Sequence, residues 1–141
     1  MHRTPPRIPY PHEKQRAEED AAVKKLCDLV RQTAYDIRRY LQQGHLEKIY
    51  HNALLNRLQK QGIEIQEQAP LTVFDEDGTV LGEYFADLLV ARDLIVELKA
   101  CDTLSPAHEA QLLGYLRAAR MRHGLLINFG APKFQIRKYV L

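Results

Sequence analysis

A chain of 141 residues with 45% apolar and 27% charged residues is one domain's worth of core, with no long low-complexity tract. A net charge of +2 permits contact with nucleic acid without arguing for it, since dedicated binders are usually more basic or carry a clustered patch. No run approaches the ~20 apolar residues of a membrane span, and the start of the chain, with prolines and charges, lacks the apolar core of a secretory signal.

Residues 1–12 carry four of the seven prolines (Pro5, Pro6, Pro9 and Pro11), and this stretch reads as a flexible arm. Residues 13–141 read as a single domain. From Glu13 to Gln43, Val23, Leu26, Cys27, Val30, Ala34, Ile37 and Leu41 recur at three- and four-residue steps and predict an amphipathic helix, with Gly44 as its C-cap. A second helix is predicted over His45–Gln61, with Leu46, Ile49, Ala53, Leu54 and Leu58 as its apolar face. Glu47 lies in its first turn, where the helix dipole favours a carboxylate, and Tyr50 and His51 follow on the same surface. His51 reads as a surface or hydrogen-bonded core histidine, not a metal ligand.

Ile63–Gln68 alternates and predicts a strand. Leu71–Phe74, an acidic turn at Asp75–Gly78 and the residues from Thr79 predict a hairpin. Tyr84–Ala100 predicts a second hairpin turning at Arg92, which pairs Val90 with Leu94, Leu89 with Ile95, Asp87 with Glu97 and Phe85 with Lys99. Ser105 and Pro106 open a third helix as N-cap and first helical residue. Its Leu112, Leu113, Leu116 and Ala119 face inward, and His108, Gln111 and Tyr115 form a polar stripe. Residues 124–129 and 135–141 are the closing strands. The two cysteines, Cys27 and Cys101, form no metal motif and read as buried free thiols in a reducing compartment, which points to the cytoplasm.

The central hairpin sets Asp87 and Glu97 on one face, with Cβ atoms about 5 Å apart, a repulsive arrangement. A shared proton, a basic neighbour such as Lys99, or a divalent cation would relieve it. Carboxylate oxygens suit magnesium or manganese.

These residues carry a resemblance. Asp87 followed by Glu97-Leu98-Lys99 resembles the D…(D/E)xK signature of the PD-(D/E)xK nuclease superfamily, and Gly44-His45-Leu46-Glu47-Lys48-Ile49-Tyr50 resembles the motif of its GxxExxY family. Gln111-x-x-x-Tyr115 resembles the QxxxY element of RecB-like and lambda-exonuclease-like nucleases. The likeness runs from about Gly44 to Leu141. One departure is Phe85, at a place where the family commonly carries a basic residue.

The resemblance implies an α/β fold with a restriction-endonuclease-like core, in which a mixed central β-sheet is flanked by helices. It implies Asp87, Glu97 and Lys99 as catalytic residues. It also implies Glu47, Asp87, Glu97 and the Leu98 backbone carbonyl as ligands of Mg2+ or Mn2+. Gln111, Tyr115, His108 and Tyr50 would meet the substrate. The expected activity is metal-dependent hydrolysis of nucleic-acid phosphodiester bonds, with DNA favoured over RNA. The alternative is a non-catalytic nucleic-acid-binding or assembly module on the same fold. No membrane partner is expected, and long helices on a small domain are compatible with a homodimer.

Overall fold

The structure, a computed structural model, describes residues 11–141. In chain order it contains α1 (Pro11–Leu41), α2 (Glu47–Lys60), β1 (Ile65–Phe74), β2 (Val80–Val90), β3 (Leu94–Lys99), α3 (Pro106–Ala119), β4 (His123–Asn128) and β5 (Gln135–Val140). The proposed arm falls mostly outside the described residues, and α1 already begins at Pro11, a residue whose fixed φ suits a first helical position. Among the described residues, no helix is long and apolar enough to cross a membrane.

The five strands form one sheet in the order β1-β2-β3-β4-β5. β1, β2 and β3 are joined as antiparallel neighbours, α3 crosses over to make β4 parallel to β3, and β5 returns antiparallel. The sheet is therefore mixed, as expected, with helices on both faces. One face packs Leu88, Val90, Leu94, Val96, Leu98, Leu125 and Ile127 against α1 and α2. The other packs Ile95 and Leu126 against Leu112 and Leu116 of α3. Both faces of β3 and β4 are thus covered, which explains their almost unbroken apolar runs.

Four expectations need correction. α1 ends at Leu41 and not at Gln43; Gln42 takes the left-handed conformation (φ 64), while Gly44 (φ 102) lies in the link to α2. The buried stripe of α2 is Tyr50, Leu54 and Leu58, whereas Leu46 and Ile49 are 78% and 43% exposed. Tyr50 is the reason: its ring stacks on Phe129 at 4.7 Å and takes the inward position. The predicted break between Gln68 and Leu71 does not exist. β1 runs through Ala69 and Pro70, because β1 is an edge strand where a proline costs no ladder hydrogen bond. Cys101 is half-buried, not buried like Cys27.

Candidate active site

The central hairpin has the predicted register at Val90–Leu94 and Leu89–Ile95, and its ladder ends at Leu88–Val96, one pair short of Asp87 and Glu97. There the side chains replace the missing rungs. The Asp87 N–H donates to Glu97 Oε1 at 2.8 Å, and the Leu98 N–H donates to Asp87 Oδ2 at 2.8 Å. Each carboxylate thus holds a backbone donor of the opposite strand, and the strands part immediately beyond. Phe85 consequently does not oppose Lys99. Phe85 pairs with Pro70 of β1, and Lys99 lies alongside Asn128 of β4.

α3 closes one side. Its start is fixed by a reciprocal cap in which Ser105 Oγ accepts the His108 N–H and His108 Nδ1 accepts the Ser105 N–H. The Lys99 ammonium donates to Gln111 Oε1 at 2.9 Å. Tyr115 lies one helical turn on, its ring 5.1 Å from that of Tyr84. From the other side, α2 brings Glu47 to the acids. A groove of about 370 Å³ runs between α2 and the sheet, with Glu47, His51, Gln68 and Asp87 among its walls. His51 is held by Glu67 at 2.8 Å, as a hydrogen-bonded histidine.

The electrostatics join these residues into one site. Glu97 is 3% exposed, and burial first, then the neighbouring Asp87, push its pKa up to about 8. Glu47 is also held above the usual carboxylate range, by desolvation and then by Asp87, with Lys99 and His51 opposing the shift. The Tyr115 hydroxyl is raised by desolvation and by the charges of Glu97 and Asp87. Glu47, Asp87, Glu97, Lys99, Gln111 and Tyr115 therefore act on one another across α2, β2, β3 and α3.

Two predicted substrate residues are placed differently. Tyr50 is fully buried: its hydroxyl donates to the Gln42 carbonyl at 2.5 Å and accepts the His45 N–H at 3.2 Å, so it ties the α1–α2 link to the core. His108 serves the α3 cap, because the Ser-Pro start turns its ring back onto the Ser105 N–H.

Two contributors have no place in the predicted set. Gln68 opposes Asp87 on β1 and adopts φ 46, a strained conformation for a non-glycine residue that concentrates near functional sites. Nothing in the sequence around it signals this. Asn128 is fully buried and binds four groups: Oδ1 accepts the N–H of Cys101 and of Gly130, and Nδ2 donates to the Cys101 carbonyl and to Gln135 Oε1. It fixes the backbone just after Lys99. A lone amide inside the apolar run GLLINF was the available signal.

Among the described residues, no three His, Cys, Asp or Glu side chains are already gathered at metal-binding distance. The donor set still fits a hard cation. Asp87 and Glu97 each engage one oxygen with a backbone N–H, and the Lys99 ammonium is turned to Gln111. A magnesium ion that keeps several waters needs only one or two carboxylates.

A family profile described as the PD-(D/E)XK nuclease superfamily matches residues 24–139. Comparison with curated proteins and with solved structures gives no match. The matched span includes every residue of the site, and the mixed five-stranded sheet with its flanking helices is a restriction-endonuclease-like core. The chain belongs to the PD-(D/E)XK nuclease superfamily.

Proposed function

We propose that this protein is a metal-dependent nuclease that hydrolyses phosphodiester bonds, of DNA in preference to RNA, and that within its superfamily it is a GxxExxY member. The observation that carries this reading is the interlocked Asp87–Glu97 pair beside the Lys99–Gln111 contact. Asp87 and Glu97 would hold Mg2+ or Mn2+ with support from Glu47 and the Leu98 carbonyl. A cation there supplies charge neutralisation on the phosphate and a water of lowered pKa.

The chain's own residues do the rest. Lys99, a point charge on a flexible stem, faces the developing charge at phosphorus. Gln111 holds the Lys99 ammonium in place and, with Tyr115, meets the substrate backbone. Asn128 positions Lys99 by pinning the loop that follows it. Two free cysteines fit a reducing compartment such as the cytoplasm.

The test is calorimetric titration of magnesium or manganese into wild type and Glu97→Ala, alongside cleavage of labelled single- and double-stranded DNA. Metal binding and cleavage that vanish together in the variant support this reading. A second reading, a non-catalytic nucleic-acid-binding module, draws on the fact that each carboxylate already accepts a backbone hydrogen bond. It predicts no metal binding even when DNA is present.

A further inference from the structure

β1 and β2 reverse their facing at the site. Along β1, Ile65 packs into the core under α1 and α2 and Glu67 reaches His51 of α2, whereas Ala69 and Leu71 pack under α3. Along β2, Leu88 and Val90 belong to the α1/α2 core, whereas Ala86 packs under α3 and the Tyr84 ring lies tilted against that of Tyr115. The reversal falls at Gln68 and Asp87, which oppose each other between the Glu67–Leu88 and Ala69–Ala86 pairs. Beyond it the two strands have left β3 and continue as a ribbon. Pro70 and Phe85 alternate with the residues under α3 and pair with each other across the opposite face, where Phe85 is 50% exposed.

No side chain on this ribbon brings a cation to a phosphate. From Ala69 to Ala86 it carries no lysine or arginine, and it carries Asp75, Glu76, Asp77 and Glu83. A duplex clamp neutralises backbone phosphates with rows of cations. A surface without cations gives the backbone no counter-charge, and the exposed Phe85 ring offers an uncharged base a face to stack on. Phe85 stands two residues from Asp87, about 6.6 Å along the strand, within reach of a base next to the reacting phosphate.

We propose that Phe85 is a stacking platform for an unpaired base, so that the substrate is single-stranded or frayed where it is cut. Base stacking on an aromatic ring is the sequence-tolerant means of holding a single strand. The proposal rests on the nuclease reading above and adds the substrate class.

The test measures kcat/KM on a single-stranded DNA series in which one abasic site is walked along the strand, in Mg2+, for wild type, Phe85→Ala, Phe85→Trp and Lys99→Ala. One abasic position is expected to cost wild type about five-fold or more, the scale of one stacked base. Phe85→Ala loses the same factor on the intact strand and nothing further at that position. Phe85→Trp restores both the rate and the abasic sensitivity. A fully paired duplex is cleaved more slowly than the single strand.

Equal loss by Phe85→Ala on duplex and single strand, or unchanged sensitivity at every abasic position, overturns the proposal. So does a Phe85→Ala variant that sediments as a monomer where wild type is a dimer, since the face would then belong to a second copy. If Lys99→Ala abolishes cleavage while Phe85→Ala changes nothing, the platform fails and the nuclease reading stands. If wild type cleaves neither strand form with Mg2+ or Mn2+, both fall.

Discussion

The backbone N–H of Asp87 donates to Glu97 Oε1 across the gap between β2 and β3, at 2.8 Å. The bond ties the position of one acid to the charge state of the other. Glu97 has its pKa raised from 4.5 to about 8 by burial and by Asp87. A group raised on folding lends stability that is fully present below its unfolded pKa, about 4.5 here, and is lost as pH rises through about 8. In chelator, wild type should therefore lose stability relative to Glu97→Gln across that window, on the order of 1 kcal/mol per pH unit. The variant's amide oxygen can still accept the Asp87 N–H. Thermal melts of the two proteins from acid to mildly alkaline pH check this. Saturating Mg2+ should reverse the order, because it binds the ionised pair of wild type and stabilises it by mass action. A difference that does not change with pH or metal would refute the account.

Lys99 and Gln111 should separate in kinetics. Lys99→Ala removes the ammonium that Gln111 holds and should lower kcat by about 10²–10³-fold. Gln111→Ala leaves the ammonium in place and unheld, and should lower kcat/KM roughly ten-fold. Steady-state cleavage assays with both variants, and with the double variant, measure the coupling. Strict additivity would show that Gln111 does not act through Lys99.

Tyr50 should matter to folding and not to catalysis. Tyr50→Phe keeps the stack on Phe129 and removes the hydroxyl that bonds Gln42 and His45. The expected loss is about 1–2 kcal/mol in urea unfolding, with kcat and KM unchanged. A rise in KM would return Tyr50 to the substrate surface.

The turn of the central hairpin can be improved. Ala91 and Arg92 both adopt positive φ, 51 and 63, where asparagine and glycine are the favoured residues. Ala91→Asn with Arg92→Gly should raise stability by about 0.5–1 kcal/mol. The exposed Arg92–Glu64 pair that is lost contributes little. Denaturant midpoints check it, and the cleavage rate should not move.

Much of this was legible before the fold. Alternation around Arg92 placed Asp87 and Glu97 together because the turn residue sets a period of two on both sides. The third helix announced itself through Ser105 and Pro106. Three things were hidden for physical reasons. Pro70 looks like a break unless the strand is known to be an edge. Tyr50 carries a polar tip, so it reads as a surface residue until Phe129, 79 positions away in the chain, is found stacked on it. Gln68 acquires its role only from its place opposite Asp87, which no local pattern encodes.

The end of the β2–β3 ladder at Leu88–Val96 has a mechanical meaning. Lys99 is anchored to β4 through Asn128, while Asp87 stands at the root of a ribbon that pairs only with itself beyond that point. The carboxylate and the ammonium thus stand on either side of the point where the ribbon leaves the sheet. If a nucleic-acid strand stacks on the ribbon as proposed, bending at its root would alter the spacing between them without breaking a rung of the central sheet, so contact on the ribbon and geometry at the scissile bond would be coupled.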